Sequence, residues 1–248
     1  MNNVENHIIK VFNDATEASE FAASLVATSS EEAIKQHDRF DFVLTGGSSP
    51  IKLYKLLTEE PSKSKIDWQK THIYHGDERF VPYESDLSNT RMADEILLNH
   101  LDIPVQNIHK IDTSLENVEA AAADYEKVIK EVTGNNVLPV LDLILLGVGD
   151  DGHTASLFPG TQVVHEKEKL VATSYNAEQK TERVSLTAPI INEAKLIAPM
   201  VFGKKKAETL KAILEGEFNP DLYPAQLLRQ AKGTVYWILD KESASLLS

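Results

Sequence analysis

Apolar, β-rich runs recur along the chain with amphipathic stretches of helical period between them, and that alternation limits the fold more than any single motif does. The runs fall at HIIKVF (7–12), FDFVLT (40–45), THIYHG (71–76), VLDLILLG (140–147), KLVATS (169–174), KLIAPMVF (195–202) and TVYWIL (234–239). Between them lie DATEASEFAASLVATSSEEAIKQ, with Asp14 as its N-cap, and SPIKLYKLL, with Ser49 as cap and Pro50 at the first helical position. SNTRMADEILLNHL, ENVEAAAADYEKVIKEV and KKKAETLKAILEG follow, the last stopped by Gly216. Several strands are continuously apolar, as strands covered on both faces must be. The pattern therefore predicts an α/β fold, a doubly wound and mostly parallel sheet with helices on both faces. Phe158 to Thr181 is the least regular stretch. No repeat or linker divides the sequence, and a chain of 248 residues buries a sizeable core, so residues 1–248 are read as one domain.

Composition removes whole classes of function. A net charge of -13 argues against nucleic acid as a partner, because polyanion binding needs clustered Lys and Arg. No apolar run approaches the ~20 residues that span a bilayer, so no membrane association is expected. MNNVENHIIKVFND lacks a basic segment followed by a long apolar one, and is not expected to be a signal peptide. With no cysteine there is no disulfide, thiol nucleophile or thiolate metal site, and a cytoplasmic location is the simple expectation. An anionic substrate would need a local group of cations working against the field of the whole molecule.

In doubly wound sheets the functional crevice lies beyond the carboxyl ends of the strands, so polar clusters placed there carry the most weight. Four qualify: TGGSSP (45–50), HGDERFVP (75–82), GVGDDGHTASLFP (147–159) and FGKKKA (202–207). In the first, Gly46 and Gly47 permit close approach of a ligand, Ser48 and Ser49 offer hydroxyls, and a helix start supplies free N–H groups. That suits an anion such as phosphate, although a tight βα turn needing glycine accounts for the same letters. The cluster is neither a Walker A loop nor the Gly-x-Ser-x-Gly elbow of hydrolases. In the second, Asp77, Glu78 and Arg79 follow a strand directly, and Arg79 has the planar fork that binds oxyanions. A solvated salt bridge is the usual fate of such a run. His75 with Asp77 lacks a third ligand, so no metal is expected. In the fourth, Lys204, Lys205 and Lys206 oppose the helix dipole unless something negative sits nearby; a solvated basic turn is the bland alternative.

The third cluster contains a literal G-x-G-x-x-G at Gly147, Gly149 and Gly152. It does not read as a dinucleotide turn. It stands past the middle of the chain, Pro159 follows too soon for a long helix, and Asp150 and Asp151 would repel a pyrophosphate. What remains is His153, displayed among glycines near a strand end. A neutral imidazole with a pKa near ~6.5 can take a proton from water. Asp77 or Asp151 would fix its tautomer and stabilise the imidazolium.

These clusters, in this order, resemble the 6-phosphogluconolactonase family of the glucosamine/galactosamine-6-phosphate isomerase superfamily. The resemblance runs through LTGGSSPIKLYKLL, GDERFVPYESDLSNTRMADEILLNHL, LDLILLGVGDDGHTASLFPG, RVSLTAPIINEAK and FGKKKAETLKAILEG. It implies a Rossmann-like fold of the sugar-phosphate isomerase type. It also implies hydrolysis of 6-phospho-D-glucono-1,5-lactone to 6-phosphogluconate in the pentose phosphate pathway, with no metal or organic cofactor and a monomer or small homo-oligomer. By the same resemblance His153 is the general base, Gly46, Gly47, Ser48 and Ser49 form the phosphate loop, and Lys206 helps hold the phosphate. Arg79 binds substrate or stabilises charge, Asn89 after Ser88 belongs to the specific GDERFVP region, and Arg183 opens a further matching segment. Asp150 is a departure: the family commonly has proline there, and a local change in the turn without loss of activity is expected. The rival resemblance is to glucosamine-6-phosphate deaminases, whose comparable turn continues Ala-Phe-Asn-Glu-Pro. Here Leu157 and Phe158 precede Pro159, and no carboxylate stands in that place. A sugar-phosphate-binding domain without catalysis is the third reading.

Overall fold

The computed structural model describes residues 6–248, so the first five residues of the N-terminal segment discussed above lie outside it. The chain runs β1 (His7–Phe12), α1 (Ala15–His37), β2 (Phe40–Leu44), α2 (Ile51–Leu57), β3 (Thr71–His75), β4 (Asp77–Arg79), α3 (Asn89–Ile96) and β5 (Ile108–His109). It continues α4 (Val118–Thr133), β6 (Leu143–Gly147), β7 (Val171–Asn176), β8 (Thr181–Leu186), α5 (Ala188–Glu193), β9 (Leu196–Val201), α6 (Ala207–Glu215) and β10 (Thr234–Asp240).

Seven strands form one parallel sheet in the order β1-β10-β9-β6-β2-β3-β5. Side chains alternate across it as the two-residue period of a strand requires. Phe42, Leu44, Ile73, Leu143 and Leu145 face a core with α1 and α2, whereas Val43, Tyr74, Ile144 and Leu146 face a second core with α4 and α6. Helix α2, only two turns long, owes its stability to packing: Leu53, Tyr54 and Leu57 are fully buried, each worth about 2 kcal/mol. The chain leaves β2 toward β3 on one side and enters β6 toward β9 on the other. The order thus reverses between β2 and β6, and a crevice opens beyond their carboxyl ends.

Asp14 caps α1 as expected, accepting from the N–H groups of Thr16 and Glu17. Three expectations are corrected. Ser49 makes no cap and Pro50 stands just before α2, because the turn from Ser48 to Pro50 delays the helix by one residue. KLVATS does not join the main sheet: β7 and β8 form an antiparallel hairpin that pairs with β4 in a separate three-stranded sheet. The stretch from Phe158 to Thr181 accordingly contains a 3-10 turn (Gln162–His165) and all of β7. Gly216 does end α6, but in extended backbone (ψ 169°) instead of a left-handed turn.

Candidate active site

Two buried tyrosines fix the strand ends from which the site is built. The Tyr54 hydroxyl donates to the Thr45 carbonyl at 2.7 Å and accepts from the Thr45 N–H at 2.9 Å. The Tyr125 hydroxyl does the same for His75, donating at 3.0 Å and accepting at 2.7 Å. Burial pushes both phenols well above the ordinary tyrosine range, so each stays neutral and can serve as donor and acceptor together. Each clamp closes just before glycine, Gly46 in one loop and Gly76 in the other, and so aims both loops at the crevice.

Asp77 and Glu78 are not the solvated pair that their setting suggests. They begin β4, exposed by only 8% and 1%. Glu78 accepts from the N–H groups of Arg79, Asn89 and Thr90 and from the Ser88 hydroxyl, and so neutralises the start of α3. Asp77 accepts from the Ser156 hydroxyl at 2.6 Å and from the Asn89 amide. Its carboxylate is therefore committed to those groups, and of the two carboxylates expected to hold the histidine, Asp77 is corrected. Asn89 also accepts from Arg79, and it fills the space where Gly46 has no side chain; a Cβ there would overlap the Asn89 amide.

Asp151 holds the histidine. Its Oδ1 accepts from His153 Nδ1 at 2.6 Å and from the His153 N–H at 3.1 Å. A carboxylate only accepts, so Nδ1 carries the proton and Nε2 of the neutral ring keeps its lone pair. Burial works to raise the Asp151 pKa, but the hydrogen bonds and charge of His153 outweigh it and leave the group below the usual carboxylate range. The glycine pattern of this turn now has its reason. A Cβ on Gly149 would collide with the His153 ring and the Asp151 carboxylate, and Gly152 takes φ +83° against Tyr223. The turn is closed by Gly149 N–H to the His153 carbonyl at 2.8 Å and by the Thr154 hydroxyl to the Gly147 carbonyl at 2.9 Å. Ser156 ties it to the rest, donating its N–H to Ser185 and accepting from Ser174 at its carbonyl.

Cations line the remaining walls. Arg79 and Arg183 stand opposite each other across β4 and β8, like charges in a position that normally destabilises a ladder. Burial, then the charge of Arg79, lowers the Arg183 pKa to about 10, although Asp77 and Glu78 pull it upward. The Nε atoms of both arginines are buried without a partner. Arg183 also bonds the side chain of Gln179, from the β7–β8 turn. Lys206 reaches in from the start of α6, with Nζ 2.5 Å from Asp150 Oδ1. A cleft of about 280 Å³ is bounded by Gly46, Gly47, Ser48, Ser49, Asp77, Arg79, Asn89, His153, Arg183 and Lys206. Every residue that the resemblance placed in the site is there, whereas Asp151 stands behind the histidine and Glu78, Asp150, Lys204 and Lys205 lie outside the lining. Ser156, Phe158, Asn176 and Gln179 also line the cleft and were not foreseen; the hydroxyl of Ser156, inside the His153 turn, was the available signal. Among the described residues no cluster of three or more His, Asp or Glu could hold a metal ion, and no helix is long and apolar enough to cross a membrane.

An imidazole with a free Nε2 shares its cleft with cations and a glycine loop at the switch point of a parallel sheet. Residues 13–237 match the family described as glucosamine-6-phosphate isomerases/6-phosphogluconolactonase. The chain belongs to that family. Within it, the chain is 34% identical to a 6-phosphogluconolactonase of Nostoc sp. over 242 residues, 97% of this chain and 98% of the relative. The solved 6-phosphogluconolactonase from Trypanosoma cruzi superposes with a TM-score of 0.87 at 30% identity, covering 97% of this chain and 96% of that one. A monomeric glucosamine-6-phosphate deaminase, at 21% identity and a TM-score of 0.81 over 97% of this chain and 99% of its own, shares the isomerase/lactonase family's fold.

Proposed function

We propose that this chain hydrolyses 6-phospho-D-glucono-1,5-lactone to 6-phospho-D-gluconate, the lactone-opening step of the oxidative pentose phosphate pathway. One observation carries the reading: an imidazole whose Nδ1 is bonded to Asp151 leaves Nε2 free in a cleft that also presents Arg79, Arg183 and Lys206.

His153 Nε2 takes a proton from water as the water oxygen attacks C1 of the lactone. The carbonyl π electrons move to its oxygen, and Arg79 or the glycine-turn N–H groups stabilise that oxyanion, about 3 kcal/mol for each well-placed donor. When the carbonyl re-forms, the bond from C1 to the ring oxygen breaks, and the imidazolium returns the proton to the leaving oxygen. The acid then ionises. Gly46, Gly47, Ser48, Ser49 and Lys206 hold the phosphate, which takes no part in bond breaking but fixes C1 against His153. Asp77 and Asn89 are positioning residues, acting through Ser156 and Arg79. The reaction as written uses no cofactor. Phe158 speaks against deaminase chemistry: its ring packs 4.7 Å from that of His153, where the deaminase turn brings a carboxylate.

His153→Ala should lower kcat by about 100-fold, the usual contribution of a general base, with an unchanged melting temperature. Turnover is read against spontaneous lactone opening, with glucosamine 6-phosphate assayed in parallel. Unchanged turnover in the variant removes His153 from the chemistry. A wild-type rate no faster than the spontaneous one moves the chain to the sugar-phosphate-binding reading, and release of ammonia from the amino sugar moves it to the deaminase. A cytoplasmic location, a single domain over residues 1–248 and a monomer or small homo-oligomer complete the proposal; fractionation, limited proteolysis and sedimentation test them.

A further inference from the structure

Of the three consecutive lysines before α6, Lys204 and Lys205 are exposed, whereas Lys206 is half-buried and lines the cleft. Lys206 alone among them has a carboxylate partner, Asp150, at 2.5 Å. That carboxylate is not part of a buried frame. Its side chain is 68% exposed, and the backbone of the residue is held to α6 separately, where its carbonyl accepts from the Thr209 hydroxyl at 2.7 Å. Backbone and carboxyl group thus have different partners, so the carboxyl group can turn toward water without moving the turn. The ammonium is the one proposed above to meet the phosphate, and an anion of the protein's own already pairs with it.

We propose that Asp150 is a built-in competitor of the phosphate group, a residue that sets how strongly an anion must bind to enter the cleft. A dianionic phosphate ester displaces the single charge of the carboxylate, which swings into solvent. A sugar lactone without phosphate has nothing to displace it with, so Lys206 stays neutralised by Asp150. This rests on the reading of Lys206 as a phosphate ligand, and the test separates the two.

Asp150→Asn keeps the shape and the backbone hydrogen bond while removing the charge. It is expected to lower KM for the phosphorylated lactone by about threefold or more, the range of one partly exposed ion pair, with a smaller change in kcat. Inhibition by inorganic phosphate should strengthen in step, and kcat/KM for unphosphorylated glucono-1,5-lactone should stay the same. In a Lys206→Met background the Asp150→Asn effect should vanish. If Lys206→Met raises KM but Asp150→Asn leaves it unchanged or raises it, the competitor role is overturned and the phosphate reading stands. If Lys206→Met leaves KM unchanged, the phosphate reading falls and the competitor role with it. A gain that extends equally to the unphosphorylated lactone also overturns the proposal. Asp150→Ser carries the same test should the asparagine disturb the turn.

Discussion

At the end of β3 and just past it the chain reads His75, Asp77, Glu78; after β6 it reads Asp150, Asp151, His153. Each set holds one histidine and two acids at or beyond the carboxyl end of a strand, yet the fold uses them in opposite ways. The first set is sealed. Its carboxylates accept from backbone and hydroxyl donors, and His75 Nε2 is buried without a partner. The second set is open, with Asp151 side-chain exposure at 51%, and its carboxylates meet an imidazole and an ammonium that line the cleft. Residue type is the same, so burial assigns the role: acids that lose water must satisfy the frame, and acids that keep water can change partners.

The sharpest way to break this contrast is to remove an acid from each set. Glu78→Ala would strand three backbone N–H groups and a hydroxyl in a dry site, and should cost about 3 kcal/mol of folding stability in urea titration. Asp150→Ala, which removes a side chain that is itself mostly in water, should stay within about 0.5 kcal/mol of the parent. Equal losses in the two variants would mean that the open set also carries the frame.

Asp151→Asn has a smaller effect of another kind. The amide keeps the shape but cannot balance an imidazolium charge, so kcat should fall about tenfold while KM and the melting temperature barely move. Solvent around Asp151 keeps the loss well below that of a fully buried triad acid. An unchanged kcat would reduce Asp151 to a clamp on the turn; a loss of stability matching that of Glu78→Ala would place it in the frame.

The contrast also marks how far the sequence could be read. His153, Arg79 and the Gly46–Gly47 loop stood out because each follows an apolar strand, and strand ends in a parallel sheet converge on the switch point; the lysine run stood out in the same way, but resemblance alone picked Lys206 from it. Arg183 and Asn89 came from resemblance, since nothing local sets them apart. The burial of Asp77 and Glu78 was not legible: the Asp77 partners Ser156 and Asn89 lie 79 and 12 residues away, Glu78 bonds the start of α3, and a charged run looks alike in water and under a helix start. The clamps of Tyr54 and Tyr125 were hidden for the same reason, as each aromatic residue sits at ordinary core spacing in a helix. The β7–β8 hairpin was half legible. Its first strand is apolar enough to pass for a member of the main sheet, and only long-range pairing with β4 separates it.

The smallest expected effect concerns the two histidines. Burial holds the His75 pKa below the ordinary 6.5, helped by Lys110 and opposed by Glu78, Asp94 and Asp77. In the unfolded chain the imidazole takes its proton near 6.5; in the fold it does so only at lower pH. Between those values the unfolded state binds more protons, so stability falls as pH drops through that window, and this group contributes no further loss below its folded value. The His75 backbone is held by Tyr125 whatever the side chain, which makes His75→Leu a clean probe. The variant should lose stability less steeply between pH 6.5 and the folded value, by at most about 1.4 kcal/mol per pH unit, the worth of one proton. At pH 6 the two curves should differ by about 1 kcal/mol or less, beyond any constant offset from the new side chain. Urea titrations at several pH values read the slope directly. Parallel curves would show that His75 exchanges protons equally in both states, and the sealed set would then be as open to water as the one that holds His153.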